Sequence, residues 1–71
     1  MDVTNAKSAR QLAQAWSQEG PRGARMLRRF AEDQRACAGL GRDLGRPVSE
    51  RGHLAAARVL DRAAARMEQA A

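Results

Sequence analysis

Residues 20–47 read GPRGARMLRRFAEDQRACAGLGRDLGRP, and the punctuation at the two ends of this stretch decides the fold. Gly20-Pro21 opens it and Gly45-Arg46-Pro47 closes it. Proline suits the first position of a helix, where its missing N–H has no partner to lose. Glycine just past the last turn, with proline beyond it, ends one. The spacing between these breaks predicts a helix over 21–44, with Gly20 as its N-cap. Its expected apolar arc is Met26, Leu27, Phe30, Cys37, Leu40 and Leu44. Phe30, Cys37 and Leu44 fall seven apart, and Met26 and Leu40 occupy the complementary heptad row. Arg28, Arg35 and Arg42 are also seven apart and are expected to point away from that row. Gly39 and Gly41 each weaken a helix by about 1 kcal/mol. They mark either a kink or a close helix crossing, since Cys37, Gly41 and Gly45 form a small-residue ridge.

Outward from this stretch, both flanks are helical too. Residues 5–19 place Ala9, Leu12, Ala13 and Trp16 on one face and Lys7, Gln11, Gln14 and Gln18 on the other, with Thr4 positioned as cap. Residues 49–70 carry an apolar face of Ala56, Val59, Leu60, Ala63, Ala64, Met67 and Ala70, with Ser49 as the expected N-cap. Arg51, Arg58, Arg62 and Arg66 line one flank of that face, and Glu50, Asp61 and Glu68 line the other. Leu54 falls outside the stripe. No alternating β pattern occurs anywhere. The expected fold is all-α: one small three-helix unit over residues 1–71, a short first helix followed by a longer antiparallel pair. The second and third helices pack through their apolar faces, and Trp16 closes one end.

Composition makes that core thin. Of 71 residues, ten are Leu, Val or Phe and none is Ile, while sixteen are the small residue Ala. A chain this short buries a modest fraction of its surface, so self-association as a homodimer, or a partner, is expected to supplement it. Thirteen cations against eight acids give a net charge of +5. Residues 1–20 are neutral, and residues 21–46 hold most of the excess. A basic balance points to nucleic acid, an anionic surface or an acidic protein. The abundance of Ala, Arg and Gly beside a single Lys fits a GC-rich coding sequence; that accounts for arginine over lysine, not for where the arginines cluster. A lone cysteine forms no internal disulfide and fits a reducing compartment. No signal peptide or membrane-spanning stretch is read, so the expected location is cytoplasmic, without a membrane partner.

The cluster is Arg22, Arg25, Arg28 and Arg29, at the start of the second helix. Positive charge is disfavoured there, because a helix N-terminus already carries about half a positive unit. Glu32 is spaced to pair with Arg28 and Arg35, and Asp33 with Arg29. The four together, Arg22, Arg25, Arg28 and Arg29, are the candidate partner- or anion-binding site, centred on Arg22 and Arg25, which have no local acid and sit beside free backbone N–H groups. Arg51, Arg58, Arg62 and Arg66 form the alternative nucleic-acid contact, although cations late in a helix also suit its dipole. Trp16 reads as a core anchor or an interface anchor. A helix-turn-helix can be built around Leu40 to Ser49, but Arg46-Pro47 look like extra residues in its turn.

Chemistry is not visible. Cys37 reads as a small buried residue. With one Cys and one His there is no zinc set. Ser49 and His53 are four apart but have no orienting acid, and the glycines at 39, 41 and 45 have the wrong spacing for a dinucleotide loop. No metal or cofactor is expected. The expected function is a non-enzymatic, small basic protein-binding module: an adaptor, assembly subunit or inhibitor docking on an acidic or nucleoprotein surface. The alternative is a DNA- or RNA-binding regulator.

Overall fold

A computed structural model describes residues 2–70; Met1 and Ala71, the ends of the expected 1–71 unit, lie outside the described residues. Three helices follow in order: α1 (Ala6–Trp16), α2 (Gly20–Asp43) and α3 (Pro47–Ala70). The described residues contain no strand, and the fold is the expected all-α unit of one short helix and a longer antiparallel pair.

Local chemistry sets each boundary. Asn5, not Thr4, caps α1. Its Oδ1 accepts from the Ser8 backbone N–H at 3.0 Å, and the Ser8 Oγ accepts from the Asn5 N–H at 3.2 Å. This reciprocal box satisfies two otherwise orphaned donors. The helix ends at Trp16, earlier than expected, and a turn to Gly20 follows; Gly20 has φ +59°, a conformation other residues rarely adopt. Glu19 occupies the N-cap position of α2 without a side-chain capping bond, so Gly20 is the first helical residue instead of the cap. At the far end, Gly45 has φ +68°. The Arg46 N–H donates to the Gly41 carbonyl at 2.7 Å and the Gly45 N–H donates to the Arg42 carbonyl at 3.1 Å. These two bonds close a Schellman motif. Pro47 then starts α3, two residues before the expected Ser49, because its fixed φ already matches a first helical turn.

α2 and α3 run side by side: Arg28 near the start of α2 reaches Glu68 near the end of α3, and Gly41 meets Glu50 near its start. The molecule is a rod of 40 × 16 × 15 Å. The buried stripe of α2 is Ala24, Leu27, Ala31, Gln34, Ala38 and Gly41, spaced alternately three and four apart. It faces Ala56, Ala57, Leu60, Ala63 and Ala64 of α3. Among the described residues, Leu27 and Leu60 are the large side chains that are fully enclosed; alanine and glycine fill most of the rest, with Val59 and Gln34. A Cβ on Gly41 would lie 3.3 Å from the Glu50 nitrogen, so the helix backbones approach closely there.

This corrects the expected apolar arc of α2. Leu27 is at its centre, but Cys37, Leu40 and Leu44 are exposed. The alanine stripe wins because small facing residues bring the two helices together along their full length, while it still encloses Leu27 and Leu60. The same rotation turns Arg28 and Arg35 toward the acidic flank of α3 instead of away from it. Gly39 and Gly41 produce no break, and α2 is continuous through both.

α1 lies along the hairpin and is seated at both ends on glycine. A Cβ on Gly52 would come within 2.6 Å of the Thr4 carbonyl oxygen, and one on Gly23 within 2.5 Å of the Trp16 carbonyl oxygen. Ala9 is fully buried beneath the helix. Trp16 packs on Phe30 with ring centroids 6.2 Å apart and planes tilted by 57°. That spacing is within the favourable range for an aromatic pair.

Candidate functional site

The four arginines at the start of α2 part company in the structure. Arg28 reaches across to α3, where its guanidinium donates to Asp61 Oδ1 at 3.2 Å and to Glu68 Oε1 at 2.7 Å. Arg35 donates to the other oxygen of Asp61 at 2.7 Å. The expected pairs along α2 do not form: no ion pair within 4 Å joins Glu32 to Arg28 or Arg35, or Asp33 to Arg29. For Arg28 and Arg35 interhelical geometry is the reason, since the α3 carboxylates lie directly beside them. The hydrogen bond from Arg28 holds the Glu68 carboxyl below its ordinary pKa, against a smaller opposing effect of desolvation. The same bond raises Arg28.

Arg22, Arg25 and Arg29 remain exposed and outside any ion pair among the described residues. They share one line along α2 with Asp33, Ala36, Leu40 and the C-cap residue Leu44, spaced three or four apart and all exposed. Residues three and four apart on a helix are surface neighbours. The outer face of α2 is therefore a stripe of about 33 Å at 1.5 Å per residue. It is cationic over its first half and apolar over its second. Leu40 and Leu44 are 59% and 58% exposed, and Val48, across the turn, is 74% exposed. Cys37 borders the apolar half and is exposed, not buried as its sequence position suggested.

Arg51, Arg58, Arg62 and Arg66 are likewise exposed and make no ion pair among the described residues. Their acidic counterparts on α3 face α2, where Asp61 and Glu68 engage Arg28 and Arg35. Arg66 and Arg10 of α1 line the same shallow groove of about 350 Å³, floored by Val59, Ala63 and Met67. Lys7 and Arg10 are also exposed, and α1 contains no acid at all. Trp16 is half-buried against Phe30 and the core.

The remaining polar candidates turn inward. His53 does not meet Ser49 in a hydrogen bond; its Nδ1 lies 2.6 Å from Gln34 Oε1. Among the described residues, no group of three or more His, Cys, Asp or Glu side chains is placed to hold a metal ion. No described helix is long and apolar enough to cross a membrane. α2 and α3 lie antiparallel, whereas a helix-turn-helix sets its helices at about 90–120°, so this hairpin does not present α3 as that kind of recognition helix. No family model matches the chain, and neither curated proteins nor solved structures give a significant match.

Sequence reasoning reached the two arginine sets but missed Leu40 and Leu44 as surface residues and Lys7 and Arg10 as part of a basic face. The first was legible in the three–four spacing of Ala24, Leu27, Ala31, Gln34, Ala38 and Gly41, which small residues disguise. The second was legible in the absence of acids from α1.

Proposed function

We propose that this protein is a non-enzymatic protein-docking module that presents the outer face of α2. The observation that carries this reading is the stripe in which Arg22, Arg25 and Arg29 are followed, after a single acid at Asp33, by exposed Ala36, Leu40 and Leu44. Solubility gives no reason to expose two leucines in register with a cationic row. A helix laid into a groove uses this arrangement, with anchors at spacings of three and four. The complementary partner surface is an apolar groove with acidic residues at one end. Arginine provides bidentate contacts to carboxylates there, and the leucines provide burial. Withdrawal of Arg28 into the hairpin narrows the charged half to three side chains.

A quantitative pull-down of tagged protein tests this with two variants, Arg22→Glu/Arg25→Glu and Leu40→Ser/Leu44→Ser. Both are expected to lose the same partner while keeping their helicity. Retention of every partner by both variants refutes the reading. If the lost partner is a second copy of the chain, light scattering will show a dimer becoming a monomer in both.

A further inference from the structure

We propose that the opposite side of the rod, formed by α1 and α3, is a second binding surface whose ligand is the phosphate backbone of duplex nucleic acid, held without regard to base sequence. Six cations lie on it: Lys7, Arg10, Arg51, Arg58, Arg62 and Arg66. All are exposed, and none forms an ion pair among the described residues. No acid interrupts them. α1 has none, and Glu50, Asp61 and Glu68 of α3 all fall on the flank turned to α2, where the latter two are held by arginines. The structure has sorted the charges of α3, whose segment is nearly neutral by composition, into an acidic inner flank and a basic outer face.

Two simpler causes do not cover this face. The helix dipole favours cations in a last turn, but the last turn of α3 holds none, and Lys7, Arg10 and Arg51 lie in the first halves of their helices. Coding bias supplies arginine in place of lysine but does not segregate acids from bases.

The dimensions fit a duplex. Arg58, Arg62 and Arg66 advance by about 6 Å at each step, and Arg51 extends the row to about 22 Å. One strand of B-DNA presents a phosphate about every 3.4 Å along its axis, so the row spans about six of them. Arg10, across the groove from Arg66, widens the contact. The chemistry favours a duplex over a single strand, because single-strand binding relies on exposed aromatic rings and the one tryptophan is packed on Phe30. Along the row itself, phosphate is also favoured over an acidic protein: between Arg51 and Arg66 the large exposed apolar side chain is Leu54 at the acidic border, while Val48 lies beyond the end of the row and Val59 and Met67, in the floor of the groove, are buried or half-buried. Between Arg51 and Arg66 the exposed polar side chains of α3 are all arginine, with exposed amides outside that span, at Gln14 in the groove and Gln69 beyond it; contacts from such a row to phosphate position the molecule and do not read sequence.

Fluorescence anisotropy with a labelled random-sequence 20-base-pair duplex, titrated with salt, tests the assignment. Six phosphate contacts predict a log–log salt slope of about −5. Arg58→Gln/Arg62→Gln should reduce the slope by about 2, whereas Arg22→Gln/Arg25→Gln on α2 should leave it unchanged. Circular dichroism checks the fold; if the α3 double variant loses helicity, Arg51→Gln takes its place, with a slope change of about 1. Absence of binding at low salt, an unchanged slope in the α3 variants, an equal loss in the α2 variant, or equal binding of polyglutamate would each overturn the proposal. The α2 variant also separates this surface from the protein-docking face, so either can fail alone.

Discussion

His53 Nδ1 and Gln34 Oε1 lie 2.6 Å apart at the seam between α3 and α2. Gln34 is 8% exposed, the one polar side chain in the buried stripe. An amide oxygen only accepts, so Nδ1 is the donor in this contact. Gln34→Leu leaves that N–H without its partner, at an expected cost of about 1–3 kcal/mol. Replacing both residues by Leu should recover much of this, since removing both partners of a buried hydrogen bond is close to neutral. A urea-melt double-mutant cycle measures the difference, and ¹⁵N chemical shifts of His53 report the tautomer.

The glycines beneath α1 predict a contrast between positions. Gly23→Ala and Gly52→Ala drive a methyl into the backbone carbonyls of Trp16 and Thr4. Overpacking of this kind typically costs about 1–3 kcal/mol, and it should shift Trp16 fluorescence as α1 lifts. Gly39→Ala meets nothing within 4 Å and should stabilise α2 by about 1 kcal/mol. Thermal melts followed at 222 nm and by tryptophan emission compare the three.

The bridge from Arg28 predicts a pH dependence. Glu68 has its pKa lowered in the folded state, so its contribution is complete above the ordinary carboxylate value of about 4.3. It disappears as pH falls through the lowered value. Arg28 is raised, so its contribution persists through the alkaline range in which proteins are normally handled. Wild type and Glu68→Gln should therefore differ in urea midpoint at pH 7 and converge as pH falls below about 4. A constant gap across that range would show that the carboxylate charge is irrelevant.

The phase of α2 is open to direct chemistry. Cys37 should react with a thiol reagent in the native protein at a rate insensitive to added stabiliser. Leu44→Lys should change stability by no more than about 0.5 kcal/mol, as exposed sites do. Leu27→Ala should cost about 2–5 kcal/mol, as enclosed leucines do. The reverse order of the two leucine variants would restore the arc of Phe30, Cys37 and Leu44 as the buried one.

These tests mark where the sequence was and was not readable. Gly20-Pro21 and Gly45-Arg46-Pro47 fixed the helix count, because backbone-limited residues act locally. The rotation of α2 was not readable from apolarity, since Leu40 and Leu44 outrank Ala31 and Ala38 on any transfer scale. Close backbone approach decided it, and that is a property of two facing surfaces together. The arginines illustrate the same limit. Arg28 and Glu32 had ideal spacing along one helix, yet Arg28 chose acids forty and thirty-three residues away in the chain.

The engagement of Asp61 and Glu68 by α2 has a consequence for how the molecule meets a polyanion. Arg28 and Arg35 offset these two acids at the seam. Exposed cations without an ion pair among the described residues stand on both sides of it, Arg22, Arg25 and Arg29 on α2 and Arg58, Arg62 and Arg66 on α3. At physiological salt the screening length is about 8 Å, comparable with half the rod's 16 Å width. A charged surface beside the rod therefore senses chiefly the cations of the nearer face, so the two faces act as separate electrostatic surfaces.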